Sequence, residues 1–206
     1  MRRQLLPALR LVLVLTVVLG IAYPFVITGI AQAAFKSRAD GSLVTVGDQV
    51  VGSSLLGQQF SGPRYFWPRA SVAGPLASGT PGTPERPVNP ADLSQANSGG
   101  SNLGPTNETL LATVEERAAA YREANGLGAD AAVPVDAVTA SGSGVDPHIS
   151  IANARVQAPR VAQSRGLSVD QVNRLIDEHT DGRSLGVLGE PGVNVLLLDL
   201  ALDGEG

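Results

Sequence analysis

The sequence contains no cysteine, two histidines and a single lysine, Lys36. Without cysteine the chain has no disulfides, no thiolate metal ligands and no cysteine nucleophile, so packing alone must hold its folded part together. His148 and His179 do not form an i,i+4 pair, and we expect no metal site. The lysine lies outside any G-x-x-x-x-G-K-[ST] sequence, and no D-K-T-G sequence offers a phosphorylated aspartate. The chain therefore cannot hydrolyse ATP by itself.

Charge is distributed unevenly along the chain. Residues 1–35 contain no acidic side chain, whereas all 19 acidic and 12 of the 15 basic residues follow residue 35. The part after residue 35 thus has a formal net charge of −7. Binding to nucleic acid requires a basic surface that faces phosphates, so we expect no nucleic-acid partner.

The longest apolar run, Leu11–Phe35, contains no charged residue. As a helix it would reach about 37 Å, enough to cross a hydrocarbon core of roughly 30 Å with some tilt. Three arginines precede it, at positions 2, 3 and 10, and two basic residues, Lys36 and Arg38, follow it closely. This bias predicts a single-pass protein of the cell membrane, with residues 1–10 in the cytoplasm, an anchor helix at 11–35 and the main domain, 36–206, outside.

A cleaved secretory signal is the alternative for this run. Ala31-Gln32-Ala33 has the small-x-small form of a cleavage site. Signal peptides, however, have apolar regions of roughly 7–15 residues, and this run is far longer. We therefore predict a bilayer anchor that remains on the chain.

Small residues recur along the anchor in two pairs, Thr16 with Gly20 and Gly29 with Ala33. Such small-xxx-small spacing lets a second helix approach closely, and Pro24 is expected to bend the segment. Two explanations stay open, because glycine and proline are also common in membrane spans that pack against nothing. The sharper interpretation makes these five positions a helix-packing site.

Residues 36–206 have the length of one domain with a buried core. Leu43–Val46 and Gln49–Val51 flank a Gly-Asp pair, which predicts a short hairpin. Tyr65-Phe66-Trp67 is typical of a short buried strand, with contact to a partner or to a membrane surface as the alternative. Residues 72–105 are rich in proline, glycine and serine, which predicts a long loop.

Three helices are predicted from their capping residues. The first begins at Thr106 or Asn107 and ends before Gly126, the second spans Ser150–Arg165, and the third spans Ser168–His179 with a Ser-x-x-Gln capping box. The second helix carries arginines at every fifth position, which do not form one stripe and are expected to make surface ion pairs. These arginines are Arg155, Arg160 and Arg165.

Two further segments are predicted to be extended. Val133–Ala140 suits a short extended or buried segment, and the apolar run Val193–Leu202 is typical of a central strand buried on both faces. The predicted architecture is therefore an α+β domain, with a small sheet and about three helices, behind one N-terminal membrane helix.

One loop has the composition of a ligand or partner site. Its glycines allow backbone amides to converge, and Asp146-Pro147 forces a turn. A serine hydrolase is poorly supported. The serines of this loop, Ser141 and Ser143, lie outside a G-x-S-x-G elbow, and His179 has no defined relation to them. We predict no catalytic residues. The candidate ligand or partner residues are Ser141, Gly142, Ser143, Gly144, Asp146 and His148.

The order of several motifs resembles one family from end to end. These motifs are TGIAQ, VGSSLLGQQF, YFWPR, SGGSNLGPTN, VTASGSGVDPHIS, VQAPRVAQSRGL and LGEPGVNVLLLDLALD. Together they resemble the C subunit, KdpC, of the bacterial Kdp potassium-transporting P-type ATPase. Ile151 and Asp199 depart from the family's usual proline and asparagine, and neither position is given a family role.

The resemblance implies an accessory, non-catalytic subunit of a high-affinity, ATP-driven potassium uptake complex. Its partners would be a channel-like potassium-binding subunit, a P-type ATP-hydrolysing subunit and a small single-helix subunit. The expected role is to stabilise this assembly and to cap the external potassium entrance.

An alternative role also comes with the resemblance, that of a catalytic chaperone. Such a chaperone would raise the ATP affinity of the hydrolysing subunit through a transient ternary complex with ATP, the one cofactor considered. The predicted topology opposes direct contact with cytoplasmic ATP. Ser141–Gly144 is the loop where such contact would be sought.

Overall fold

The computed structural model describes residues 2–60, 62–73 and 97–204. The chain forms two compact units, Met1–Leu43 and Val44–Gly206, which are described separately. An apolar N-terminal helix is followed by small sheets and several helices. This arrangement confirms the predicted fold class.

The first unit is dominated by one helical stretch in three parts. Helix α1 (Arg2–Val17) continues through a π-helical turn (Val18–Ala22) into α2 (Tyr23–Ala34), and a short helix α3 (Lys36–Ala39) follows. Within the described residues, one helix, Arg3–Ala34, is long and apolar enough to cross a membrane.

The π-helical turn ends two residues before Pro24. Proline has no N–H, so it cannot donate to the carbonyl four residues earlier. Immediately before it, the N–H of Tyr23 bonds to the oxygen of Val18, five residues back. A local widening of the helix therefore occurs at the proline where the sequence predicts a bend.

A two-stranded sheet is formed by β1 (Leu43–Val46) and β2 (Gln49–Ser53). Gly47 in the connecting turn has a φ of +60°, a left-handed conformation that glycine adopts without steric cost. The predicted hairpin is confirmed.

The second unit contains a three-stranded antiparallel sheet. Its middle strand is β5 (Gly192–Asn194), flanked by β3 (His148–Ile149) and β4 (Thr180–Asp181). Val193 lies opposite Ile149 on one side and Thr180 on the other. The sheet thus joins the hairpin of β4 and β5 to β3, which lies much earlier in the chain.

Five helices accompany this sheet in the described part of the unit. They are α4 (Glu108–Ala124), a one-turn α5 (Val135–Val138), α6 (Ile151–Arg165), α7 (Val169–Glu178) and α8 (Val195–Gly204). Helices α6 and α8 pack against β5, α7 packs against both of these helices, and the core lies among these elements. Its most deeply buried side chains include Phe66, Ile149, Val161, Val172, Ile176, Val193, Leu196, Leu198 and Leu202.

The predicted caps are confirmed. The Asn107 side chain accepts hydrogen bonds from the backbone amides of Thr109 and Leu110, and Ser150 caps α6. Ser168 and Gln171 form the reciprocal capping box that opens α7. These bonds are local, so sequence alone could specify them.

The predicted central strand Val193–Leu202 is wrong beyond its first two residues. Val193 and Asn194 do belong to the middle strand, but α8 begins at Val195. The Asn194 side chain accepts a hydrogen bond from the backbone N–H of Leu197 at 3.2 Å. A helix that is apolar on most sides and buried resembles a buried strand in sequence, which accounts for the error.

Two other predicted extended segments also differ. Val133–Ala140 contains the one-turn helix α5, and Ala140 forms an isolated parallel bridge with Ala70. Tyr65-Phe66-Trp67 is not a strand, although Phe66 is fully buried as expected. Side chains rather than a neighbouring strand bind the backbone of this segment, as described below.

Candidate functional site

The loop that contains Ser141–Gly144 is a junction between separate segments of the domain. The N–H of Ser141 donates to the Ala70 oxygen at 2.9 Å, and the N–H of Gly99 donates to the Ser143 oxygen at 2.8 Å. One residue further on, the Val145 oxygen accepts from the Gly57 N–H at 2.8 Å. The loop therefore ties three distant segments together.

Three backbone amides of this loop bond to the loop's own side chains. Ser141 Oγ accepts from the N–H of Gly144 at 3.1 Å, and Ser143 Oγ accepts from that of Val145 at 3.2 Å. The N–H of His148 donates to Asp146 Oδ1 at 3.0 Å. These amides are committed within the chain, and ligand binding at this loop stays a prediction.

The two glycines of the loop have different surroundings. Gly144 has a φ of +72°, and a Cβ placed there would lie 2.6 Å from the Gly99 oxygen and against Ala73. A Cβ on Gly142 would meet no atom within 4 Å. Gly144 is thus required by both backbone and packing, whereas Gly142 faces open space.

His148 lies between two carboxylates. Its Nε2 is 2.8 Å from Asp181 Oδ2, and its Nδ1 is 3.8 Å from Asp146 Oδ1. The other oxygen of Asp146 accepts from Arg69 Nη1 at 2.9 Å. Ser143 Oγ bonds to Ser141 Oγ at 3.1 Å rather than to the imidazole. Among the described residues, no group of three or more histidines and carboxylates is placed to hold a metal ion.

A buried polar network links α4 and α5 to the start of α6. Asp136 accepts from the N–H and the hydroxyl of Ser150 and from the amide of Asn153. The hydroxyl of Tyr121 donates to Asn153 Oδ1 at 2.7 Å, and burial raises the pKa of this phenol. Gln157 also donates to Asn153 Oδ1. The network positions α4 against α6.

Side chains of α6 and α8 bind the backbone of the aromatic segment 62–67. Gln157 accepts from the N–H of Trp67 at 2.8 Å and donates to its oxygen at 3.1 Å, as a neighbouring strand would. Asp199 Oδ1 accepts from the N–H of Phe66 at 2.9 Å. Burial raises the pKa of the Asp199 carboxyl well above its ordinary value.

We call the three side chains that bind the backbone of this segment, those of Gln157, Arg160 and Asp199, the clamp. Arg160 is its central member. Its Nη1 donates to the oxygens of Gly62, Pro63 and Tyr65 at 2.9–3.1 Å, and its guanidinium lies 4.6 Å from the Trp67 ring centroid. Burial lowers its pKa to about 10.

The prediction that all three α6 arginines form surface ion pairs is therefore correct for Arg155 alone. Arg155 makes an exposed pair with Asp177, with 3.2 Å between the two side-chain atoms. Arg165, whose side chain is 2% exposed, binds Asp203 and the Arg64 oxygen. Arg160 instead donates to the backbone oxygens of the segment 62–67.

Beside the clamp lies an apolar groove of about 430 Å³. Sequence reasoning did not find it, because its two walls lie far apart in the chain; the only hint was the proposed partner contact of the aromatic triplet. The groove residues are Gly62, Pro63, Trp67, Ala120, Glu123, Ala124 and Arg160.

The predicted helix-packing positions of the anchor are all exposed. A Cβ on Gly20 would touch only Thr16, at 4.0 Å, and a Cβ on Gly29 would meet nothing within 4 Å. Pro24 and Ala33 are likewise exposed. The surface at these positions is open to a second helix.

Comparison with known proteins decides the family. A model of the KdpC family, described as "K+-transporting ATPase, c chain", matches residues 5–204. The chain belongs to the KdpC family. It is 55% identical to the potassium-transporting ATPase KdpC subunit of Mycobacterium tuberculosis over 203 residues, which cover 98% of this chain and 99% of that protein.

KdpC subunits of other bacteria are similar along almost their whole length. That of Sorangium cellulosum is 55% identical and that of Geobacter sulfurreducens 50%, with 99% and 98% of this chain covered and 99% and 97% of theirs. The resemblance read from the motifs is confirmed. The chain is a KdpC subunit of a potassium-transporting ATPase, a membrane complex, and the part of it that the structure describes contains one candidate transmembrane helix.

Proposed function

We propose that this chain is a non-catalytic accessory subunit that stabilises the assembly of the channel-like and ATP-hydrolysing subunits. Its N-terminal helix packs against the membrane helices of these subunits, and its domain packs against the same subunits outside the membrane. The observation that carries the proposal is the exposed helix Arg3–Ala34, whose positions Gly20 and Gly29 have open space around them. Small residues favour close helix packing in membranes, where apolar burial provides no driving force.

The orientation is part of the same proposal. The arginines at positions 2, 3 and 10 favour a cytoplasmic N-terminus, which places the main domain outside, over the external potassium entrance. The −7 charge of residues 36–206 would raise the local cation concentration slightly. Physiological salt screens this effect beyond ~8 Å.

A reporter enzyme fused after Gly206 tests the orientation. A reporter that is active only outside the cytoplasm should show activity. A cytoplasmic signal would instead place the domain beside ATP and would favour the catalytic-chaperone role, with Ser141–Gly144 as the loop to probe.

Paired substitutions test the seat of the helix. Gly20→Leu with Gly29→Leu should reduce the amounts of the channel-like, ATP-hydrolysing and small single-helix subunits that co-purify with the chain. Leu19→Val with Val26→Leu provides the control, because it alters the same helix without filling the small positions. Equal co-purification of both variants would contradict the proposed helix packing.

A further inference from the structure

The groove beside the clamp has two walls that are each hydrogen-bonded to α6. One wall is the segment 62–67, whose carbonyls are fixed by Arg160 and by Ser164, which donates to the Pro63 oxygen at 2.9 Å. The other wall is α4, fixed to α6 by the buried bond between Tyr121 and Asn153. The groove therefore exists before anything binds, which lowers the entropic cost of binding.

The lining suits an apolar occupant. Ala120 and Ala124 of α4 face Trp67 across a volume within the range of about 300–1,000 Å³ that is common for binding clefts. Tryptophan and arginine are the residues that most often dominate the energetics of protein–protein interfaces. An apolar side chain or short apolar segment would bury surface against Trp67 and the two alanines.

The two charged residues at the groove differ in whether their side chains already have hydrogen-bond partners within the chain. Each nitrogen of the Arg160 guanidinium donates to an oxygen within the chain, namely those of Asn125, Gln157, Gly62, Pro63 and Tyr65. The Glu123 carboxylate makes no ion pair or hydrogen bond within the described part of the chain. Glu123 is exposed and available to a cation.

We infer that the groove binds an apolar segment of another subunit of the complex, and that this segment carries a lysine or arginine that pairs with Glu123. The inference rests on the proposed function and makes it specific, because it names a docking surface on the domain in addition to the membrane helix. Charge complementarity selects the binding orientation, and the apolar contacts with Trp67 supply most of the affinity.

Filling the groove tests its apolar part. Ala120→Trp should reduce the partner subunits that co-purify with the full-length chain about ten-fold or more, because the loss of a single hot-spot contact weakens binding by at least that factor. Ala119→Trp is the matched control, because Ala119 is the preceding exposed residue of α4 and does not line the groove. Equal co-purification of the two variants would overturn the inference.

Charge reversal tests the ionic part. Glu123→Arg should reduce co-purification several-fold, and the loss should be smaller in high salt, where the wild-type attraction is also screened. Glu116→Arg provides the control on the exposed surface of the same helix. If the two reversals have the same effect, the basic residue assigned to the partner does not exist.

The thermal stability of the isolated full-length chain in detergent tests whether something other than a partner subunit fills the groove. Ala120→Trp and Ala119→Trp should leave the same Tm. A Tm lower by several degrees for Ala120→Trp alone would mean that the chain, or a bound detergent or lipid, fills the groove, and would overturn the inference. A failure of the proposed function would look different from a failure of this inference. If the proposed function were wrong, even the unaltered chain would not retain the other subunits.

Discussion

Asp199 accepts the backbone N–H of Phe66 at 2.9 Å, and both residues are buried although 133 positions separate them. The second carboxyl oxygen, Oδ2, has no hydrogen-bond partner within the described residues. A carboxyl group in this setting is stable in its neutral form, because burial penalises the charge. The contact joins α8 to the aromatic segment, and we expect it to make the stability of the domain depend on pH.

The first prediction concerns this pH dependence. The folded-state pKa of Asp199 lies above the ordinary value of 3.8, so the folded protein holds the proton more tightly than the unfolded chain. Its contribution to stability is complete below 3.8 and is lost as the pH rises towards the folded-state pKa.

Asp199→Asn keeps an acceptor for Phe66 and removes the titration. Its free energy of unfolding, measured by urea titration of the full-length chain, should therefore exceed that of the unaltered chain increasingly as the pH rises from 4 to 8. A difference that does not change with pH would contradict the buried, neutral carboxyl.

The second prediction concerns Gln157, which binds both the N–H and the oxygen of Trp67. Gln157→Ala leaves these two backbone groups without their partner, and each unsatisfied buried group costs about 1–3 kcal/mol. Because both bonds are only partly buried, we expect the free energy of unfolding to fall by roughly 2–4 kcal/mol, the lower part of the summed range. Gln163→Ala, at an exposed position of the same helix, should change it by less than about 0.5 kcal/mol.

The third prediction compares the two glycines of the loop at residues 141–144. Gly144→Ala places a Cβ against Ala73 and the Gly99 oxygen at a φ of +72°, so we expect a loss of about 2 kcal/mol or more. Gly142→Ala meets open space and should be nearly neutral. Chemical denaturation of both variants checks the difference, and equal losses would mean that the loop does not form this junction.

The fourth prediction concerns an apolar hairpin tip between β4 and β5. Leu185, 91% exposed, adopts a φ of +54°, a left-handed conformation that costs a leucine about 1–2 kcal/mol. Asparagine tolerates this conformation, so Leu185→Asn should raise the free energy of unfolding by up to about 1 kcal/mol. Val187→Asn, at the same tip but without positive φ, should give no such gain. A destabilised Leu185→Asn variant would show that the tip has a different conformation.

The sequence predicted the features that depend on neighbouring residues. Asn107, Ser150 and Ser168 cap helices within three positions of themselves, and Gly47 lies in a two-residue turn, so each carries its signal locally. The apolar run after Val193 did not reveal its helix, because a run that is apolar throughout has no periodicity that separates helix from strand.

The clamp and the groove could not be predicted from the sequence and became visible only in the folded structure. Arg160 contacts carbonyls 95 to 98 residues earlier, and nothing in its helical position distinguishes it from Arg155, which pairs at the surface. The aromatic triplet was read as a strand, since β-propensity does not show that side chains of α6 and α8 take the place of a neighbouring strand. Membership of the KdpC family could be read from the motifs because they run the length of the chain.

The proposed function assigns to the N-terminal helix the role of holding the transport complex together. To test this role, residues 1–35 are replaced with an unrelated membrane-spanning helix, and the channel-like and ATP-hydrolysing subunits that co-purify with the tagged chain are measured. We predict a loss of about ten-fold or more while the variant remains in the membrane. Undiminished co-purification together with unchanged potassium uptake would contradict the claim.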